Sequence, residues 1–190
     1  MRKAEISRKT KETDIKLSLD LDGGDVSVCT GIGFFDHMLT AFAVHAGYGL
    51  SLKATGDLNV DGHHTVEDVG IVLGQAFYKA LSDRNDIARY GQALIPMDEA
   101  LARTVVDISR PFIVFDAKYN EPFCGDYECC LTNEFFTAFA INAQITVHTQ
   151  LLYGDNSHHC VEAIYKSLAH ALAQATVQDR SKVLSTKGSL

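Results

Sequence analysis

Apolar and polar residues alternate from Ile15 to Leu21, with Ile15, Leu17, Leu19 and Leu21 separated by Lys16, Ser18 and Asp20. That period of two predicts a strand with one face buried, and residues 102–108 and 111–117 supply further β-branched runs of the same kind. The period then lengthens. Phe35, Met38, Leu39 and Phe42 fall at helical intervals, as do Phe135, Phe136, Phe139 and Ile145, so each segment predicts an amphipathic helix. A strand-like run follows each helix, residues 50–55 and 147–152, and then a polar turn, residues 57–62 and 154–157. A second helix is expected to start at a His-His pair in each case. One runs through Val69, Leu73, Phe77 and Leu81, the other through Ile164, Leu168 and Leu172, with Asp61 and either Asn156 or Ser157 as N-caps.

The two sets of elements repeat in order and in spacing. Thr40-Ala41-Phe42-Ala43 recurs as Thr137-Ala138-Phe139-Ala140; the step from Thr40 to His63 is 23 residues and from Thr137 to His158 is 21. The expected architecture is an α/β (α+β) fold made by internal duplication of a strand-strand-helix-strand-helix unit, with a mixed sheet and helices on one face. Residues 1–190 are expected to form a single domain of two pseudo-symmetric halves, about 1–94 and 95–190. Residues 89–96 read as the seam, because all three prolines lie near the middle of the chain.

Composition narrows the function classes. The 190 residues are 46% hydrophobic and 22% charged, ordinary for a soluble globular protein. A net charge of −7 without a Lys/Arg-rich run argues against nucleic-acid binding, which needs a clustered basic face. The charged N-terminus has no apolar core, so no secretory signal is expected, no stretch reaches membrane-spanning length, and the expected location is cytoplasmic. Five cysteines without a CxxC pair read as packing or incidental thiols, Cys129 and Cys130 included.

The chemistry lies in a pentapeptide that occurs twice, His63-His64-Thr65-Val66-Glu67 and His158-His159-Cys160-Val161-Glu162. Residues four apart on a helix share a side, whereas adjacent residues are turned by roughly 100°. His63 with Glu67, and His158 with Glu162, can therefore chelate an ion each, and His64 and His159 point elsewhere. Facing helices would give one ion His63, Glu67 and His159 and the other His158, Glu162 and His64. Pseudo-symmetry asks for one more ligand per site, three residues before each TAFA, where His37 and Glu134 stand. Imidazole and carboxylate without thiolate suit Mn²⁺, Fe²⁺ or Zn²⁺, with open octahedral positions favouring manganese. The blander reading of each motif is a helix start with a capping box. Of the remaining histidines, His45 either lines the same cavity as His37 or is structural, His148 is a reserve ligand, and His170 is structural or on the surface.

Residues 31–39, 61–68, 156–163 and 185–188 together closely resemble the imidazoleglycerol-phosphate dehydratase family over essentially the whole chain. The resemblance implies a half-domain of the ribosomal-protein-S5-domain-2 type, two Mn²⁺ per active site, and a homo-oligomer of 24 subunits with sites at subunit interfaces. It also implies a small phosphorylated imidazole substrate, dehydrated in histidine biosynthesis. The family's ligands map onto His37, His63, His64, Glu67, His158, His159 and Glu162. At the position of Glu134 some members carry His, and between Ser109 and Arg110 the family usually has a Gly that is missing here.

The substrate contacts that the resemblance implies are Glu12, Arg89, Arg110, Ser185, Thr186 and Lys187, with His37 and His45 beside them. Metals on both ring nitrogens would make the imidazole an electron sink for C–H cleavage. Glu12 is the expected base, His45 and Asp98 weaker candidates for proton delivery, and the Arg, Lys and Ser side chains the phosphate clamp. A metal-storage or sensor protein would need no such clamp. A metal-dependent hydrolase would not need room for an imidazole at both ions.

Overall fold

The computed structural model describes residues 2–81, 84 and 86–178. The first half runs β1 (Lys3–Lys9), β2 (Thr13–Asp20), β3 (Val26–Cys29), α1 (Gly33–Ala46), β4 (Gly49–Gly56) and α2 (His63–Leu81). The second runs β5 (Tyr90–Met97), β6 (Ala100–Asp107), β7 (Phe112–Asp116), a small hairpin β8 (Phe123–Cys124) and β9 (Tyr127–Glu128), α3 (Leu131–Ala143), β10 (Thr146–Tyr153) and α4 (Ser157–Ala175).

Each half owns a four-stranded mixed sheet. The orders are β1-β2-β4-β3 and β5-β6-β10-β7, with the last pair of each parallel and the others antiparallel. The duplication expected from the TAFA and His-His spacings is present, but each half sets three sheet strands rather than two ahead of its first helix, and there are two sheets rather than one. Alternation decides the faces: Thr13, Ile15, Leu17 and Leu19 of β2, like Ala100, Ala102, Thr104 and Val106 of β6, are buried under helices. Helix α2 covers the first sheet and α4 the second, and the halves meet where α2 packs on α3 and α1 on α4. The α2–α3 approach is close enough to require glycine, since a Cβ on Gly74 would stand 2.6 Å from the Phe139 carbonyl oxygen.

Residues 89–96 are not a seam. β5 pairs with β6 along its whole length, so the halves join between Leu81 and Tyr90. The glycine and proline that suggest a linker have other causes. A Cβ on Gly91 would lie 1.9 Å from the Ala171 carbonyl oxygen, so Gly91 lets β5 sit against α4, and Pro96 is on an edge strand, where proline is tolerated. No described helix is long and apolar enough to cross a membrane.

Candidate active site

Both long helices start alike. The Asp61 Oδ1 accepts from the His63 N–H at 2.8 Å, and the Asn156 Oδ1 accepts from the His158 N–H at 2.9 Å. Each cap satisfies an orphan donor and is worth about 1 kcal/mol. It also fixes where the helix begins, so that both imidazoles of each pair project from the first turn.

Three donors converge where α1 meets α4. Glu162 Oε2 lies 3.5 Å from His37 Nε2 and 3.3 Å from His158 Nε2, and one donor atom from each of the three residues falls within 4.8 Å of the others. The histidines are exposed and the carboxylate is only 8% exposed. The Lys166 ammonium, one turn further along α4, holds the other oxygen, Oε1, at 2.5 Å. Burial pushes the Glu162 carboxyl up, but the hydrogen bond and charge of Lys166, with His37 and His158, outweigh it and hold the group below its ordinary value. An ionised oxygen aimed between two imidazoles fits a divalent cation of the Mn²⁺, Fe²⁺ or Zn²⁺ kind. The second half also positions α1 directly. Asp126, between β8 and β9, accepts from the Gly33 N–H at 3.1 Å, and Phe34 packs edge-on against His158 at 4.8 Å.

On α2, His63 Nε2 lies 3.8 Å from Glu67 Oε2. Glu134, at the matching place on α3, does not converge with them as His37 does with its pair; His37, His158 and Glu162 are the three-donor group among the described residues. Two carboxylates facing one imidazole repel each other, whereas His37 and His158 flank a single anion.

The sequence places His64 and His159 with the facing helix's pair; within the chain they do not join it, and each turns back to its own half. His64 Nδ1 sits 3.0 Å from Asp57 Oδ2, and its Nε2 lies 3.9 Å from Glu12 Oε1. His159 Nδ1 sits 2.8 Å from Glu99 Oε2, and its Nε2 lies 3.7 Å from Asp98 Oδ2. The 100° step between neighbours explains this, since a ring that leaves the His63 or His158 side meets the polar end of its own sheet. The halves do bring donor atoms together, but through His37. With Nδ1–H donated to a carboxylate, Nε2 of His64 and His159 keeps its lone pair for a ligand. The hydrogen bonds that His64 and His159 donate to Asp57 and Glu99 raise their pKa values, whereas burial, then Lys166 and His170, lower that of His45. In metal-free protein the His64 and His159 ring protons should titrate above about 6.5, and His45 below it. Asp57→Asn should lower the His64 midpoint alone; an unmoved midpoint in an NMR titration would refute the pairing.

Sequence reasoning missed Lys166, whose signal is its place between Glu162 and His170 in a row of four-residue steps. It also left His170 unpartnered, and its Nε2 lies 3.1 Å from His45 Nδ1. The row thus passes from ligand cluster to basic end.

Other predicted residues lie far from the cluster. The Arg89 N–H donates to the Ala175 carbonyl at the C-terminal end of α4, about 25 Å along the helix from His158 at 1.5 Å per residue. Its guanidinium grips Asp107 with Nε and Nη2 at 2.7 and 3.2 Å. Arg110 is nearby, its carbonyl accepting from Thr146 Oγ1. His148 is on the outward side of β10 against Phe112, away from the cluster. Ser185, Thr186 and Lys187 lie outside the described residues.

A family model described as imidazoleglycerol-phosphate dehydratase matches residues 30–172. The chain belongs to the imidazoleglycerol-phosphate dehydratase family. Among curated members, the dehydratase of Acetivibrio thermocellus is 53% identical over 193 residues, covering 100% of this chain and 99% of that protein. The Exiguobacterium dehydratase is 52% identical over 191 residues, covering 99% of this chain and 98% of its own. Two solved dehydratases share the fold at a TM-score of 0.85. That of Staphylococcus aureus is 40% identical, covering 93% of this chain and 99% of its own; that of Pyrococcus furiosus is 39% identical, covering 97% and 100%. The chain is therefore a dehydratase-family hydro-lyase, as the motifs imply.

Proposed function

We propose that this enzyme removes water from imidazole glycerol phosphate, a histidine-biosynthesis step with a cytoplasmic place, in a homo-oligomer whose sites combine residues of neighbouring subunits. Family membership over the full chain carries the reaction. The distance of Arg89 and Arg110 from the His37–His158–Glu162 cluster, and the tie of the Arg89 guanidinium to Asp107, support sites completed by a neighbouring subunit. The resemblance names the assembly as 24 subunits.

His37, His158 and Glu162 would hold one divalent cation, and His63 with Glu67 the core of a second set; His64, His159 and Glu134 are the remaining ligands. Mn²⁺ bound there would supply charge to stabilise the substrate ring as an anion. Glu12 is the base. Its carboxylate is half exposed beside His64 Nε2. Glu99, at the matching place in the second half, is occupied: it accepts from the Asn156 and Asp155 N–H groups and from His159, which hold its pKa at about 2. Asp98, 72% exposed, flanks His159 and can relay a proton there. The phosphate would lie against Lys166 and His45 at the basic end of the α4 row, with Arg89, Arg110, Ser185, Thr186 and Lys187 of a neighbour closing on it.

Chelator-stripped protein should fail to dehydrate imidazole glycerol phosphate and regain turnover with Mn²⁺, and its mass in solution should be 24 times that of the chain. Turnover unaffected by stripping would sink the metal reading.

A further inference from the structure

We infer that Asp68, with Thr13 and Arg8, positions Glu12 for proton transfer. The inference rests on the reading of Glu12 as the base. Asp68 belongs to α2, directly after Glu67, and is 7% exposed. Its Oδ2 accepts from Thr13 Oγ1 at 2.5 Å, and its Oδ1 lies 3.0 Å from Arg8 Nη2. The turn that carries Glu12 is closed by its own bonds. The Thr10 N–H donates to the Thr13 carbonyl, and Thr10 Oγ1 accepts from the Glu12 and Thr13 N–H groups at 3.0 and 2.9 Å. One carboxylate therefore ties a pre-shaped turn to the helix that bears His63, His64 and Glu67.

The second half shows that the fold does not need this tie. A Cβ on Gly56 would meet Thr65 and Thr13, and one on Gly154 would meet Cys160 and Ala100, so Thr13 corresponds to Ala100. The repeated pentapeptide makes Ala163 the counterpart of Asp68. Arg8 pairs with Ile15 and Ile95 with Ala102, so Arg8 corresponds to Ile95. A polar trio in one half thus replaces Ile95, Ala100 and Ala163 of the other, on the same strands and the same helix start.

The difference follows from what the turn carboxylate does. Glu99 anchors its own turn through two N–H groups and His159. Glu12 cannot serve as its own anchor and also act on a substrate, so the anchoring passes to Asp68. A base must be held to within a fraction of an ångström, and a displacement of about 1 Å can cost about a hundredfold in rate.

The triple variant Arg8→Ile/Thr13→Ala/Asp68→Ala gives the first half the second half's residues. It should keep its thermal midpoint within about 5 °C, its metal content and its KM, and lose about a hundredfold in kcat. The same changes in a Glu12→Gln background should cost nothing further, and Thr13→Ser, which keeps the hydroxyl, should keep kcat. Wild-type kcat in the triple variant beside an inactive Glu12→Gln would overturn the inference while leaving the base reading intact. Unfolding of the triple variant, or a loss confined to KM, would also overturn it. Full turnover by Glu12→Gln would remove the base reading and the inference with it.

Discussion

Replacing Glu162 by Ala is expected to halve the metal content of the enzyme and to lower kcat/KM by about a thousandfold or more. Its Oε2 is the one anionic donor between His37 and His158, while its Oε1 balances Lys166. Truncation removes a ligand and leaves an uncompensated ammonium beside the cluster of two imidazoles, so a cation there loses attraction and gains repulsion. The several kcal/mol that a bound cation contributes to a developing negative charge convert to that loss at about 1.4 kcal/mol per tenfold. Metal analysis of the purified variant beside steady-state kinetics checks it. Two metals per chain with wild-type kinetics would remove Glu162 from the ligand set.

Glu12→Gln should behave differently. Gln keeps the size and the turn but cannot take a proton, so kcat should fall by about 10² to 10⁴-fold while metal content and KM stay near wild type. The neighbouring geometry sharpens the expectation. Glu12 Oε1 is 3.9 Å from His64 Nε2, and the Nδ1 of that ring is held by Asp57 rather than by Glu12. Loss of metal in Glu12→Gln would show that the carboxylate serves the ion. Retained turnover would show that another group takes the proton.

Period and repetition carried most of the fold. The alternation at residues 15–21 and the twin TAFA and His-His spacings hold as β2, α1, α2, α3 and α4, because buried faces leave a period that local sequence displays. β1 and β5 were not legible. Both are edge strands with one side of the ladder free; in β1 charged residues crowd the run, in β5 the outward Tyr90 and Leu94 are large exposed hydrophobics that blur the alternation, and a β5 glycine required by contact with α4 resembles a turn glycine. In the site, the four-residue steps gave His63 with Glu67 and His158 with Glu162 directly. What the steps could not give was the partner across the interface. That α1 lies on α4, bringing His37 to Glu162, and that His64 and His159 find Asp57 and Glu99, depends on packing between segments up to 125 residues apart, which is the separation of His37 and Glu162.

The two sheets share one strand order, and their turns put a glutamate at the same place. In an assembly of identical half-units every substitution would act on both copies, and a glutamate pinned to a helix start in one would be pinned in all. Joined in one chain, the copies can be edited independently. Glu99 can remain a latch while Glu12 is released to become a lever, and inheritance of a mutation by one half no longer commits the other.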